Sequence, residues 1–119
     1  MGLWDIEVEP EVRAWLENLP KRDFGHVLAH VEQLAEEADT LGEPYSRYLG
    51  DKTRELRIPL HPLDVRVTYW LAPGRRVVLL TVFRKTKAKE TAEVERAKRV
   101  QKEYEASHGH AEDVFEREV

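Results

Sequence analysis

Arg54, Arg57 and Arg66 fall inside strand-like segments, and a third such segment, VVLLTVF, runs straight into Arg84, Lys85, Lys87 and Lys89 with no acid before Glu90. A sheet built only for packing would carry neutral residues at these places. Clustered guanidinium and ammonium groups repel one another, and a bound anion relieves that repulsion. Phosphate suits them, because a guanidinium fork spans two of its oxygens and because cations on nucleic acid release condensed counterions. Alternate residues of an antiparallel sheet share a face, so Arg57 and Arg66 are expected to converge on an exposed surface near the cationic strand end. Tyr69, Trp70 and Phe83 lie close enough in sequence to offer base stacking, worth about 1–3 kcal/mol per base. The plainer alternative is that these bases serve only solubility and edge protection.

Other chemistries find less support. The chain has no cysteine, which excludes disulfides, thiolate catalysis and cysteine-ligated metals. HVLAH sets His26 and His30 at i, i+4, a spacing that lets two imidazoles share zinc. No glutamate follows the first histidine and no third ligand is evident, so no metal site is assigned. His108 and His110 in the tail have less context still. There is no glycine-rich phosphate loop and no serine with the surroundings of a hydrolase nucleophile. The acids Glu36, Glu37, Glu93 and Glu95 read as ordinary helix-surface residues.

The elements that must position these groups fit one domain, since 119 residues suffice for a single core. Net charge is −4, yet acids crowd the first half and the tail while bases crowd Arg75 to Lys102, so an anionic partner would respond to the local potential rather than to the sum. No apolar stretch approaches the roughly 20 residues of a membrane span, and the N-terminus carries acids where a secretory signal needs bases. The reducing cytoplasm is the expected compartment.

LWDIEVE alternates as a half-buried strand, and Pro10 can open a helix. Val12, Trp15, Leu16 and Leu19 recur at helical spacing. After Pro20 a second helix is expected to carry Phe24, Val27, Leu28, Val31, Leu34, Ala35 and Ala38 on one face. Residues 40–52, with two glycines and a proline, read as a loop. RELRIPL, DVRVTYWL and RRVVLLTVF, joined by the turn-like HPLD and APG, read as an antiparallel meander. ETAEVERAKRVQKEYEA reads as a surface helix with Val94, Ala97 and Tyr104 inward. Residues 1–106 form the expected α+β domain, and 107–119 an acidic, frayed tail.

Four segments, KTRELRI, VRVTYW, RRVVLLTVFRKTKA and EVERAKR, resemble in order and spacing the RelE/HigB superfamily of toxins from bacterial toxin–antitoxin pairs, and its phage-derived HigB-like branch most of all. That branch reads as a strand ending in E-L-R, a strand with Y-R-x-x-Y, an apolar strand ending in F-x-K-K, and a helix with E-I-x-x-A-x-x-R. The matching positions here are Glu55-Leu56-Arg57, Val65 to Tyr69, Phe83 to Lys85 with Lys87, and Glu93 to Arg99.

The resemblance implies a RelE-like fold, with an N-terminal strand and helical hairpin packed on an antiparallel sheet and a C-terminal helix. It further implies a ribosome-dependent mRNA endoribonuclease that needs no metal or other cofactor and is neutralised by a cognate antitoxin, usually DNA-binding. Arg57 and Arg66 would clamp the scissile phosphate, and Arg84 or Lys85 would protonate the leaving 5′-oxygen or neutralise its charge. Lys52, Arg54, Phe83, Lys87 and Lys89 would meet mRNA or ribosomal RNA. Some relatives carry a tyrosine or histidine near the end of the last strand, but none occurs here before Tyr104, so the general base is left unassigned. Two alternatives keep the same fold without nuclease activity: a ParE-like gyrase poison, and an inactive relative that only binds an antitoxin.

Overall fold

The computed structural model describes residues 3–86 and 90–108. The two most apolar segments become its innermost strands. β1 (Asp5–Val8) opens the chain, followed by α1 (Pro10–Glu17), α2 (Lys21–Glu37), β2 (Ser46–Gly50), β3 (Thr53–Ile58), β4 (Val65–Ala72), β5 (Arg76–Arg84) and α3 (Thr91–His108). β4 and β5 are buried along nearly their whole length, which suits their content of β-branched and aromatic residues. Pro73-Gly74-Arg75 turns between them, with Gly74 and Arg75 at φ of 82° and 57°. β3 pairs antiparallel with β4, completing the meander expected from the sequence.

Two features of the sheet differ from that expectation. Ser46–Gly50 is not loop but an edge strand, paired antiparallel with β3 through a tight turn in which Asp51 and Lys52 take φ of 50° and 65°. Left-handed φ at both central residues is what a two-residue hairpin needs to match the strand twist. Only Ser46 of this strand is fully buried, so it carries no clear apolar alternation. β1 lies parallel to β5 at the other edge, giving a mixed sheet in the order β1-β5-β4-β3-β2. No local turn encodes that direction, because the helical hairpin intervenes between β1 and the rest.

Both faces of the sheet are covered. α1 and α2 pack on one, where Val12, Val27 and Leu34 meet Leu56, Ile58, Val67, Tyr69 and Leu79. α3 packs on the other, where Tyr104 joins Trp70, Ala72, Val78 and Leu80. Ala97 and Tyr104 are buried there as their spacing predicts, and the Trp70 and Tyr104 rings meet edge to face with centroids 6.2 Å apart. Each such large side chain withdrawn from water contributes about 1.5–3 kcal/mol. Of the stripe expected on α2, Val27, Leu34, Ala35 and Ala38 are buried, but Phe24 and Leu28 remain 41% and 43% exposed. They lie on the flank of the stripe, which a simple apolar count does not separate from its centre.

A bulge in β5 sets the direction of everything beyond it. Thr68 pairs with Thr81 but Tyr69 pairs with Leu79, so Leu80 is the extra residue. The Thr81 N–H donates to Thr68 Oγ1 at 3.1 Å, and the two threonine hydroxyls lie 2.6 Å apart, which satisfies the interrupted ladder. One inserted residue reverses the in–out alternation of all that follow. Phe83 and Lys85 therefore fall on the α3 side, and Arg84 on the hairpin side.

Glu11 ties three elements together. Its carboxylate accepts from both Nη atoms of Arg96 on α3 and, at 3.0 Å, from the Val82 N–H of β5. Burial pushes the Glu11 carboxyl up, but the Arg96 and Val82 hydrogen bonds and the Arg96 charge outweigh it, so the group lies below its ordinary range. A lowered folded pKa gives stability that is present above the unfolded value and lost as pH falls through the folded one. Glu11→Gln is expected to cost about 1 kcal/mol at neutral pH, the size left to a part-exposed pair after solvent screening. Urea midpoints of the two proteins should converge as the pH drops below the carboxylate range.

Candidate functional site

Strand register places the candidate groups in ranks across the α3 side of the sheet. Arg57 stands directly opposite Arg66, and Arg66 opposite Phe83. One rank back run Arg47, Glu55, Thr68 and Thr81. One rank forward, the Lys85 N–H donates to the Asp64 carbonyl at 2.8 Å. Tyr45 joins the arginine rank from just before β2, where its carbonyl accepts from the Arg57 N–H at 2.8 Å. Successive ranks on one face lie about 6–7 Å apart and neighbouring strands about 4.8 Å. Glu55 and Lys85 thus start on the ranks to either side of Arg57 and Arg66, on the same face of the sheet.

Their electrostatics are uneven. Glu55 Oε2 accepts from Arg57 Nε at 3.3 Å and lies 3.6 Å from Arg66 Nε. One buried carboxylate therefore faces two guanidiniums, leaving a net positive charge at the rank. Arg66 is 9% exposed, and its Nε has no hydrogen-bond partner among the described residues. A buried charged donor without a hydrogen bond is costly, and an incoming anion would satisfy it. Arg57 also lies 4.0 Å from the exposed Glu43. Lys85 Nζ sits 3.2 Å from Glu90 Oε2 and donates to the Thr86 carbonyl at 2.7 Å. A cleft of about 390 Å³ opens beside these groups, lined by Arg47, Tyr48, Glu55, Glu90, Thr91 and Val94.

The structure divides the residues singled out in the sequence. Arg57, Arg66 and Lys85 come together. Their surface is not the open one expected, because the start of α3 overhangs it and Arg66 is nearly buried. Arg84 lies on the opposite face, lining a 310 Å³ pocket with Trp15, Leu19, Leu63 and Val65. Arg54 also faces away, opposite Tyr69, with its guanidinium 5.2 Å from the centre of the Tyr48 ring. Lys52, in the β2–β3 turn, pairs with Glu105 at 3.0 Å, some five residues or about 16 Å along the strand from Arg57. Phe83, Tyr69 and Trp70 are 8%, 0% and 4% exposed, so they form the floor and core rather than open stacking platforms. Lys87 and Lys89 lie outside the described residues. On α2, His30 Nδ1–H donates to the His26 carbonyl at 3.0 Å. Among the described residues no group of three or more potential metal ligands gathers.

Three residues in these ranks were missed in the sequence. Arg47 and Tyr45 were hidden inside a segment read as loop, although Gly50-Asp51 between SRYL and TREL is a hairpin signal. Glu55 was visible as part of E-L-R but given no role, because nothing in one dimension shows a carboxylate buried between two arginines.

Set beside known structures, the chain is similar to a chain of the toxin–antitoxin complex RelBE2 from Mycobacterium tuberculosis, with a TM-score of 0.52 and 24% identity over 70% of this chain and 99% of that one. A mutant of the E. coli toxin RelE in the free state aligns at a TM-score of 0.48 and 15% identity, over 83% of this chain and 97% of that one. The first likeness shows the fold that the four motifs implied. Among curated proteins none matches the chain significantly. No helix among the described residues is long and apolar enough to cross a membrane. The profile of the family described as Phage derived protein Gp49-like (DUF891) matches residues 14–102, most of the chain, and the chain belongs to that family.

Proposed function

We propose that this protein is the toxin of a toxin–antitoxin pair and acts in the cytoplasm as a ribosome-dependent, metal-independent mRNA endoribonuclease. The observation that carries the reading is the arginine rank, with Arg57 and Arg66 side by side, sharing one carboxylate, and a buried Arg66 donor left without a hydrogen-bond partner. Such a rank accepts a phosphodiester and holds it more tightly as charge builds on the phosphorane. The RNA's own 2′-hydroxyl supplies the nucleophile, so the protein needs only to orient the chain and move protons. Lys85, on the same face, is the donor to the leaving 5′-oxygen, a role for which Arg84 is turned the wrong way. Tyr45 and Arg47, both exposed beside the rank, hold the neighbouring nucleotides. Lys52 and Arg54, distant from it, and Lys87 and Lys89 serve as ribosome contacts. A partner antitoxin, encoded alongside and carrying a helix-turn-helix, keeps the protein silent. The RelBE2 chain it resembles belongs to a structure of a toxin–antitoxin complex.

Mapping RNA 5′ ends after induction tests the reading. Growth arrest with new 5′ ends inside A-site codons supports it. Arrest with intact transcripts overturns it in favour of a gyrase poison on the same fold, and unhindered growth points to an inactive, antitoxin-binding relative.

A further inference from the structure

Glu55 stands on one side of the arginine rank and Lys85 on the other. Among the described residues it is the carboxylate paired with both arginines, and its side chain is 5% exposed. An in-line displacement at phosphorus needs its entering and leaving oxygens on opposite sides of the phosphorus. A phosphate gripped by Arg57 and Arg66 therefore meets Glu55 on one flank and Lys85 on the other. We propose that Glu55 is the general base of the reaction, taking the proton from the 2′-hydroxyl of the nucleotide at the cut; this rests on the nuclease reading above.

The step balances without a cofactor. The 2′-hydroxyl proton passes to a Glu55 carboxylate oxygen as the O2′–P bond forms. The P–O5′ bond breaks, its electron pair goes to the 5′-oxygen, and that oxygen takes a proton from Lys85 Nζ. The products are a 2′,3′-cyclic phosphate and a 5′-hydroxyl, after which water takes the proton from Glu55 and returns one to Lys85. In the free protein both proton carriers are held by ion pairs, Glu55 with Arg57 and Arg66, Lys85 with Glu90. When a phosphate takes over the arginines, the carboxylate is released from its partners at the place where the nucleophile arrives. Glu55 thus fills the vacancy left by the absence of a tyrosine or histidine at the end of β5.

The competing role is purely structural, a carboxylate that only neutralises two arginines. Glu55→Gln distinguishes them, because the amide keeps the shape and the hydrogen bonds to the guanidiniums but cannot take the proton. Single-turnover cutting is measured on bacterial ribosomes programmed with a short mRNA. Binding is measured on the same complex carrying a 2′-deoxynucleotide at the cut, which cannot react and also reports whether the variant is folded. Cutting slower by about 100-fold or more, with binding within about threefold of wild type, is the expected result, in the range of a general base removed. Cutting within about threefold of wild type overturns the assignment, as does a loss of cutting matched by an equal loss of binding. If the wild-type chain itself leaves the mRNA whole, the nuclease reading fails, and that outcome is distinct from failure at Glu55.

Discussion

If the chain is the nuclease proposed, Arg57→Ala and Arg66→Ala are each expected to slow mRNA cutting by about 100-fold to 1000-fold, the usual effect of deleting one donor aimed at charge that develops in the transition state. Growth arrest on induction is then expected to disappear with either change, and binding of the proposed antitoxin to persist. The two guanidiniums face each other in register and share Glu55, so they act as one unit, and the double variant falls little below the worse single one. Arg66→Lys does not rescue, because an ammonium cannot offer the planar fork and is costlier to bury at 9% exposure. Single-turnover cutting of ribosome-bound mRNA checks the rates, and thermal unfolding separates lost chemistry from lost fold. Full toxicity of both alanine variants would place the active surface elsewhere.

Arg76→Ala is expected to cost about 3–5 kcal/mol of stability and to lower Tm by more than about 10 °C. Arg76 is 2% exposed; its Nε donates to the Pro73 carbonyl at 2.8 Å and its Nη1 lies 3.6 Å from Glu7 Oε1. Glu7, itself 7% exposed on β1, accepts a hydrogen bond from the Tyr104 hydroxyl of α3. Removing the arginine takes its charged partner from a buried carboxylate set between edge strand β1, its neighbour β5 and the helix that covers them. Among the described residues no hydrogen bond reaches either Nη atom of Arg76, so the pair itself is not an efficient use of buried charge. Replacing both partners by apolar residues of similar volume, Glu7→Leu with Arg76→Met, is therefore expected to regain most of the loss, as measured by urea unfolding. If the double variant unfolds as readily as Arg76→Ala, the loss comes from packing around Arg76 rather than from an unpaired charge.

Much of this protein was legible in the order of its residues. The meander from Thr53 to Arg84 and the inward residues of α3 follow from local periodicity and turn chemistry, which act over a few neighbours. The meeting of Arg57 and Arg66 follows the same logic, since alternation and antiparallel pairing bring them onto one face. β2 escaped notice because an edge strand with one fully buried residue leaves little pattern to read. The parallel pairing of β1 with β5 joins segments separated by most of the chain, and no turn between them records its direction.

The sequence by itself determined which cations were available and that two of them would meet; the tertiary structure decided which others joined them. Arg84 and Lys85 are adjacent and chemically alike in one dimension. The bulge at Leu80 sends Lys85 to the face that carries the arginine rank and Arg84 to the far face. A bulge is settled by how two strands pair over their length and by what packs on each side, not by the residues at the strand end. Glu55 acquired its place in the same way. Its burial between two guanidiniums exists only once β3 and β4 are in register and α3 closes over that face, because burial and charge pairing belong to the assembled sheet and to no single segment of the chain.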